Sequence, residues 1–380
     1  MISRLDDYCV HQAPGYLRVP GTTDRNFYDR YFFSGYSTDA AVIFGAAFGR
    51  YPNRYVQDAH FTVVLDGTQT SLHASARLGA APDEAQAGPL VVEVLEPMRV
   101  LRCRAAPGDQ GVSYDLTFRA ETGAIDEGRL QLAREGLTYI DQTRFMQYGT
   151  WEGWIEVDGK RVTVDPRRTH GLRDKSWGVR VIGEQQVTPE KQGQIFWMNV
   201  VMHLGDEYSV IGTLDRADGT SHERAGYFAP LYPSAELVPI GEQQLRAVAT
   251  WQFELNFIPG TRRITDGRYL VRWPDGSEQH IHGRSLGTLW YAGLGYNHDR
   301  WHHGLDHGGL LVERESWRTD QVDLSRPDRQ FLASVMEFSD GGGRVIGFGH
   351  TEQLLIGEYQ PLGWGPDYGV TAANDTKGGG

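Results

Sequence analysis

Cysteine is scarce in this chain, and so are long apolar runs. Cys9 and Cys103 are the only cysteines among 380 residues, too few for a disulfide-stabilised scaffold. The longest apolar run, AAVIFGAAF at residues 40–48, is too short to span a bilayer. The N-terminal stretch MISRLDDYCVHQAPGY lacks the apolar segment of a signal peptide. We therefore expect a cytoplasmic protein without stable membrane insertion.

The chain also has few positively charged residues relative to acidic ones, and little of the apolar periodicity of helices. The chain has 37 Lys and Arg against 49 Asp and Glu, a formal net charge of −12. A nucleic-acid partner would require a basic surface, and docking on anionic lipid would require one too, so the charge argues against both. No segment sustains the 3.6-residue apolar period of an amphipathic helix, which predicts few helices.

Turn signals and aromatic residues, by contrast, are abundant. Aromatic residues make up 11% of the chain, and there are 47 glycines. Asp-Gly dipeptides separate alternating, strand-like runs, which is the strongest short signal for a β-hairpin. They occur at residues 66–67, 158–159, 218–219, 275–276 and 340–341. This pattern predicts up-and-down antiparallel sheet, curled into one or two barrels around an apolar pocket.

The densest mixture of charged and aromatic residues is RTHGLRDKSWGVR, residues 168–180. Asp174 in an aromatic pocket would have a raised pKa and could donate a proton near neutral pH. Alternatively, it could form a structural ion pair with Arg173 or Arg180. Neighbours in a strand point to opposite faces, so the flanking cations need not contact Asp174, and Trp177 is expected on the opposite face. The residues alone leave both interpretations open.

A histidine-rich segment, YNHDRWHHGLDHGG, spans residues 296–309. His298, His302, His303 and His307 are metal-ligand types, so a metal centre is one hypothesis. The glycines in and before the segment argue against a helix that would bring His298 and His302 together. We therefore favour a loop at a pocket mouth, with His302 or His298 as a polar pocket residue or general base, and no metal.

In two further segments, alternate side chains along the predicted strand could form either part of a core or the wall of a ligand pocket. In DRYFFSGY, Tyr31 and Phe33 share one face of a strand. In IFWMNVVMH, Trp197 and Asn199 share a face. The side-chain amide of a single Asn among apolar neighbours either hydrogen-bonds to the backbone or points at a ligand.

These segments together resemble a known family, the carotenoid 1,2-hydratase (hydroxyneurosporene synthase-like) and AttH-like group, which includes prenyl hydratases and Diels–Alderase-type cyclases. RYFFSGYSTDAAVIFGAAFGRYPN looks like the family's first strand and the hairpin after it. The family's Gly…Asp-x-x-Trp-Gly signature is matched by Gly171, Asp174, Trp177 and Gly178. The sequence departs from the family where DRYFF replaces Glu-Trp-Trp-Tyr, and where Lys175 replaces the His that often follows the signature Asp.

The resemblance implies an all-β fold of two lipocalin-like antiparallel barrels or sandwiches packed together. We expect an N-terminal domain at residues 1–165, a C-terminal domain at 166–368 and a disordered tail at 369–380. Known members of the family act on prenyl chains, carotenoids or polyketide-derived polyenes without a redox cofactor.

We therefore expect a cofactor-free acid–base enzyme, a hydratase or dehydratase, isomerase or cyclase, with a hydrophobic isoprenoid, terpenoid or prenylated substrate. Asp174 would protonate the substrate, and His170 or His302 would position water or accept a proton. The expected substrate-binding residues are Tyr31, Trp177, Trp197, Asn199, Tyr296 and His298. Two alternatives remain open: a non-catalytic carrier of a hydrophobic small molecule, and a metal-dependent enzyme that uses the loop at residues 298–307.

Overall fold

A computed structural model describes residues 9, 11, 14–79, 81–134, 136–183, 193–241 and 243–366. Within these ranges the regular structure is β-strand apart from short 3-10 helices, at Pro52–Arg54, Ala235–Leu237, Tyr291–Leu294, Thr319–Gln321, Pro327–Arg329 and Gln360–Leu362. No helix in these ranges has the length and hydropathy needed to cross a membrane. The predicted all-β class is confirmed, whereas the predicted tail at 369–380 lies outside the described residues.

Most strands of the first half form one antiparallel sheet, here called the N-terminal sheet. Its strands are β1 (Phe27–Ser37), β2 (Ile43–Tyr51), β3 (Val56–Leu65), β4 (Thr68–Arg77), β5 (Ala85–Ala87), β6 (Leu90–Glu96), β7 (Val100–Ala105), β8 (Val112–Ala120), β9 (Ile125–Arg134), β10 (Leu137–Val157), β11 (Lys160–Val164), β12 (Thr169–Val179) and β20 (Leu311–Arg318). The order is β20-β4-β3-β2-β1-β12-β10-β8-β7-β6-β5, and β9 and β11 each pair with β10. Strand β12 therefore lies in the middle of the sheet.

The remaining strands form the C-terminal sheet, which is also antiparallel. They are β13 (Ile195–Leu204), β14 (Glu207–Asp215), β15 (Ser221–Pro230), β16 (Arg246–Ala247), β17 (Thr250–Phe257), β18 (Ile264–Arg272), β19 (Glu278–Trp290), β21 (Phe331–Asp340) and β22 (Val345–Ile356). The order is β16-β15-β14-β13-β22-β21-β19-β18-β17. Hydrogen bonding of the N-terminal sheet continues past residue 165 to Val179 and resumes in β20, and the domain division at residue 165 stays a prediction.

The five Asp-Gly dipeptides that predicted hairpins all lie at connections between paired antiparallel strands, whereas a sixth, Asp266-Gly267, lies within β18. In the turns at residues 66–67 and 158–159, both residues have positive φ, as a type I′ turn requires. The other three turns differ. Only Gly219, Gly276 and Gly343 take positive φ there, so longer connections with one left-handed glycine replace the expected two-residue turn.

Among the described residues, the three largest apolar cores follow from the alternation of side chains along these strands. One is enclosed by the N-terminal sheet and includes Phe33, Phe44, Phe118 and Trp151. A second is enclosed by the C-terminal sheet and includes Met198, Trp251, Met336 and Phe338. The third, here called the inter-sheet core, draws on both sheets and includes Phe32, Met146, Leu172, Val201, Leu289 and Val335. The two curled, lipocalin-like sheets therefore pack against each other through their outer faces.

Candidate active site

Asp174 lies at the centre of β12 and points into the inter-sheet core. Its register partners are Phe32 on β1 and Met146 on β10. Side chains directly opposite each other in a sheet share a face, and both partners belong to the inter-sheet core. The carboxyl group is therefore directed at the contact between the two sheets.

The carboxyl group of Asp174 is enclosed by protein but keeps some solvent-accessible surface. Burial raises its pKa above the ordinary value, against the opposing charges of Arg144, Arg30 and Arg180. Among the described residues, none forms a hydrogen bond or close ion pair with this carboxyl group.

The geometry does not show a structural ion pair between Asp174 and either Arg173 or Arg180. Arg173 points to the other face, where its Nε donates to Gln147 Oε1 at 2.9 Å and its guanidinium lies 4.9 Å from the Phe145 ring centroid. Arg180 lies over the Tyr28 ring at 4.5 Å. Neither arginine is ion-paired with Asp174.

A second carboxyl group, that of Glu352 on β22, enters the inter-sheet region from the opposite sheet. It is 5% exposed, and Tyr291 donates its hydroxyl proton to Oε1 at 2.5 Å. Burial alone would raise its pKa, but His350, Tyr291 and Arg144 outweigh burial and hold the pKa below its ordinary value. Glu352 is close enough for its charge to raise the pKa of Asp174.

The two carboxyl groups thus have pKa values displaced in opposite directions. Relative to ordinary carboxyl groups, the shift favours the protonated form of Asp174 and the ionised form of Glu352. Such a pair provides an acid and a base at the same pH. The arrangement is suited to a reaction that adds a proton at one atom and removes a proton from another.

Aromatic rings from both sheets form a wall beside these groups. Tyr291 contacts Phe32 edge-to-face at 5.4 Å and Phe331 at 4.7 Å. Phe331 in turn contacts Tyr296 at 4.9 Å and Trp197 at 5.5 Å, both edge-to-face. Aromatic faces stabilise a neighbouring cation when water is excluded.

Two arginines, Arg30 and Arg144, supply the counter-charge of the site. Arg30, 1% exposed, donates from Nη1 to the Tyr296 hydroxyl at 2.5 Å and from Nη2 to the Leu294 carbonyl at 3.1 Å. Arg144 forms a partly buried ion pair with Glu127. These bonds fix both cations in place near the two carboxyl groups and orient Tyr296.

The structure brings together three of the expected substrate-binding residues near Asp174. Tyr296 and Trp197 belong to the aromatic wall. Asn199 on β13 is 7% exposed and lies directly opposite Glu352 in the sheet. The two expected catalytic histidines lie elsewhere, and so do the other expected substrate-binding residues.

His170 shares the face of β12 that carries Asp174 but lies four residues away, about 14 Å along an extended strand. His302 lies in the loop after β19, with its ring stacked 5.7 Å from that of His303. Burial, assisted by Arg180, lowers the pKa of His302 to about 4, so its imidazole is neutral near neutral pH. Neither histidine contacts Asp174.

Tyr31 and Trp177 point to the face opposite Asp174. Tyr31 stacks on Phe33, 6.0 Å between centroids, against the core of the N-terminal sheet. Trp177 is 38% exposed and meets Phe145 edge-to-face at 6.4 Å. Strict alternation along β1 and β12 produces both orientations, since no bulge interrupts the pairing of these strands.

His298 belongs to a polar cluster at the edge of the N-terminal sheet, with His73 and Glu315. Its Nδ1 accepts the backbone N–H groups of Arg300 and Trp301, at 3.1 and 3.0 Å. The ring proton must then be on Nε2, which donates to Glu315 Oε2 at 3.2 Å. A metal ligand needs an unprotonated nitrogen, so this tautomer disfavours a metal ion at His298.

Glu352, Tyr291, Phe331 and Arg144 are absent from the residues that the sequence singled out. One signal was available for Glu352, because HTEQ places four polar residues in a row in a strand that ends in the apolar run LLI. Polar residues on both faces of a central strand must be paired or functional. Tyr291, at the start of a 3-10 helix, carried no such signal.

The sequence profile of a family described as "Family of unknown function (DUF8625)" matches residues 2–365. No curated protein is significantly similar in sequence. The crystal structure of a protein assigned as AttH from Nitrosomonas europaea is similar at a TM-score of 0.52 and 13% identity, over 88% of this chain and 98% of that chain. This similarity confirms the expected AttH-like fold and concerns the fold alone.

Two further solved structures cover most of the chain at lower structural similarity. They are kievitone hydratase from Nectria haematococca, with a TM-score of 0.49 and 12% identity over 89% of this chain and 93% of that chain, and CghA with Sch210972, with a TM-score of 0.49 and 14% identity over 87% and 89%.

Proposed function

The chain belongs to DUF8625, a family of unknown function. We propose that this protein is an enzyme that carries out acid–base catalysis without a redox cofactor. The proposed reaction is a hydration or dehydration, isomerisation or cyclisation of a hydrophobic isoprenoid, terpenoid or prenylated substrate. The observation that carries the proposal is the pair Asp174 and Glu352, whose pKa values are displaced in opposite directions beside an aromatic wall.

In the proposed forward step, protonated Asp174 gives its proton to an alkene carbon of the substrate. The π electrons form the new C–H bond and leave a carbocation on the neighbouring carbon. The rings of Phe331, Tyr296 and Trp197 stabilise that positive charge.

Ionised Glu352 then completes the reaction as the base. In a hydration it takes a proton from the water that attacks the carbocation, and in an isomerisation or cyclisation it takes one from an adjacent carbon. The Tyr291 hydroxyl holds the carboxylate in position. Proton exchange with water, which reaches the partly accessible Asp174, restores the starting state.

The alternative to this enzyme is a non-catalytic carrier of a hydrophobic small molecule. A carrier needs an apolar cavity but gains nothing from two enclosed carboxyl groups and the buried guanidinium of Arg30, each of which costs free energy to desolvate. The buried charges therefore favour the enzyme.

Asp174→Asn and Glu352→Gln test the proposal against a panel of prenylated aromatic and polyene substrates. Loss of a positioned proton donor or acceptor should lower kcat by about 10²–10⁴-fold, with ligand binding retained. Asp29→Asn is the matched control, because Asp29 lies on the adjacent strand, pairs with Lys175 and points to the opposite face. Unchanged turnover in Asp174→Asn would contradict the proposal, and ligand binding without turnover by the wild type would favour the carrier.

The pH profile of the wild type provides a second test. The reaction requires ionised Glu352 and protonated Asp174, so kcat should rise as the pH passes the lowered pKa of Glu352 and fall as it passes the raised pKa of Asp174. In Asp174→Asn the alkaline limb should disappear from any residual activity. A profile whose alkaline limb survives this substitution would assign the acid to another group.

A further inference from the structure

Glu121, His170 and His203 meet at the other end of the inter-sheet contact from Asp174. His170 is on β12 and Glu121 follows β8, so both belong to the N-terminal sheet, whereas His203 is on β13 of the C-terminal sheet. The backbone of Glu121 is held on both sides, since its N–H donates to the Tyr148 carbonyl and its carbonyl accepts from Tyr232, each at 2.8 Å. The cluster therefore joins the two sheets.

The three side chains converge on one point. One oxygen of Glu121 and one ring nitrogen of each histidine all lie within 4.8 Å of one another. The two imidazole rings are 4.1 Å apart between centroids and inclined by 50°. Ligands of a tetrahedral zinc ion with bonds near 2.0–2.1 Å lie about 3.3 Å apart, so small side-chain rotations would bring these atoms to bonding distance.

Two of these side chains carry polar atoms without a partner among the described residues. Glu121 Oε2 and His170 Nδ1 are both buried, and neither has a hydrogen bond. His170 as a whole residue is 8% exposed. Orphaned buried polar atoms are rare and call for an explanation such as an ion or water between them.

We propose that Glu121, His170 and His203 bind a divalent transition metal ion, most suitably zinc. Two histidines and one glutamate are a ligand set that zinc takes in sites that keep a fourth position open for water. Glu121 and His203 retain solvent-accessible surface, which gives the ion a route of entry. The bound ion would link the two sheets about 14 Å from Asp174, so the proposal is independent of the acid–base chemistry.

Aromatic neighbours already orient the histidine ligands. His203 stacks on Tyr208 at 4.9 Å, and Tyr36 lies 6.5 Å from the His170 ring. Fixed rings reduce the side-chain entropy lost when a metal binds. The cluster of His73, His298 and Glu315 also meets the distance condition, but its members already hydrogen-bond one another, so it is the appropriate internal control.

Metal-free protein, prepared with a chelator and dialysed, is titrated with Co²⁺ and separately with Zn²⁺. Wild type should bind about one ion per chain, Co²⁺ should give the visible absorption of a low-coordinate site, and Zn²⁺ should raise Tm. Removing a residue that only hydrogen-bonds a metal ligand weakens metal binding by about 10–100-fold. Glu121→Gln and His203→Gln each remove a ligand and should weaken metal binding by more than that. His298→Gln should bind like wild type.

The direct titration of wild type keeps the test meaningful even if a variant folds poorly. No stoichiometric binding by wild type would overturn the proposal. Binding that survives in folded Glu121→Gln and His203→Gln, or that is lost in His298→Gln, would also overturn it by placing the ion elsewhere. Catalysis by Asp174 does not enter any of these measurements, so failure here leaves the proposed function intact.

Discussion

The hydroxyl of Tyr291 is the group whose loss tests most directly whether Glu352 is ionised. It donates to Glu352 Oε1 at 2.5 Å, and both side chains are buried. In Tyr291→Phe the ring remains, so its edge-to-face contacts with Phe32 at 5.4 Å and Phe331 at 4.7 Å are kept. The substitution therefore removes one hydrogen bond and little packing.

We expect Tyr291→Phe to lower the free energy of unfolding near neutral pH by about 1.5–3 kcal/mol, the contribution of a hydrogen bond to a charged group. Tyr148→Phe is the matched control, because it removes a hydroxyl from the same inter-sheet core. That hydroxyl meets the neutral hydroxyl of Tyr227 at 3.3 Å. A bond between neutral groups contributes about 0.5–1.5 kcal/mol, so the control should cost roughly half as much.

Urea unfolding at about pH 7.5 and at stepwise lower pH measures both losses. Because the folded-state pKa of Glu352 is lowered, the stability that its charge contributes is present above its ordinary pKa and is lost as the pH falls through the folded-state value. Tyr291 favours the ionised form, so the difference between wild type and Tyr291→Phe should shrink over that acidic range. Equal losses in both variants at every pH would refute the assignment of Glu352 as an ionised base.

Two further substitutions test the electrostatics of the cluster of His73, His298 and Glu315 and the packing around the signature glycine, Gly171. Burial lowers the pKa of His73 from 6.5 to about 4, so wild type should lose about 3 kcal/mol of unfolding free energy as the pH falls through that window. His73→Gln should lack this loss, and parallel urea-unfolding profiles against pH would show that His73 is not the group responsible. A Cβ at Gly171 would lie 2.0 Å from the Ser34 carbonyl oxygen, whereas one at Gly21 meets nothing within 4 Å. Gly171→Ala should therefore cost about 1–3 kcal/mol or more, and Gly21→Ala within about 0.5 kcal/mol, by thermal unfolding; equal Tm values would contradict the clash.

Local sequence was sufficient to predict the strands, the hairpins and the direction of individual side chains. The Asp-Gly pairs marked five hairpins because left-handed backbone is tolerated by few residue types. Alternation along β12 placed Trp177 away from Asp174, and the structure agrees, because a strand without a bulge turns successive side chains to opposite faces. The close approach of the Ser34 carbonyl also explains why position 171 is glycine.

The partners of Asp174 could not be predicted in the same way. Glu352 lies on the other sheet, and Tyr291, which holds it, is 61 residues away from it in sequence. Nothing in the local sequence of β12 specifies which face of the C-terminal sheet will cover it. His170 illustrates the same point, since it shares the face of Asp174 but meets Glu121 and His203 instead.

The sequence by itself thus determined an acidic, all-β chain with few cysteines and a carboxyl group at position 174 directed to one face of a strand. Only the tertiary structure decided that this face is covered by a second sheet, and that Glu352 and the aromatic wall lie beside Asp174. The physical reason is that strand formation and alternation depend on neighbouring residues. The pKa of a carboxyl group depends instead on burial and on charges that packing brings together from distant parts of the chain.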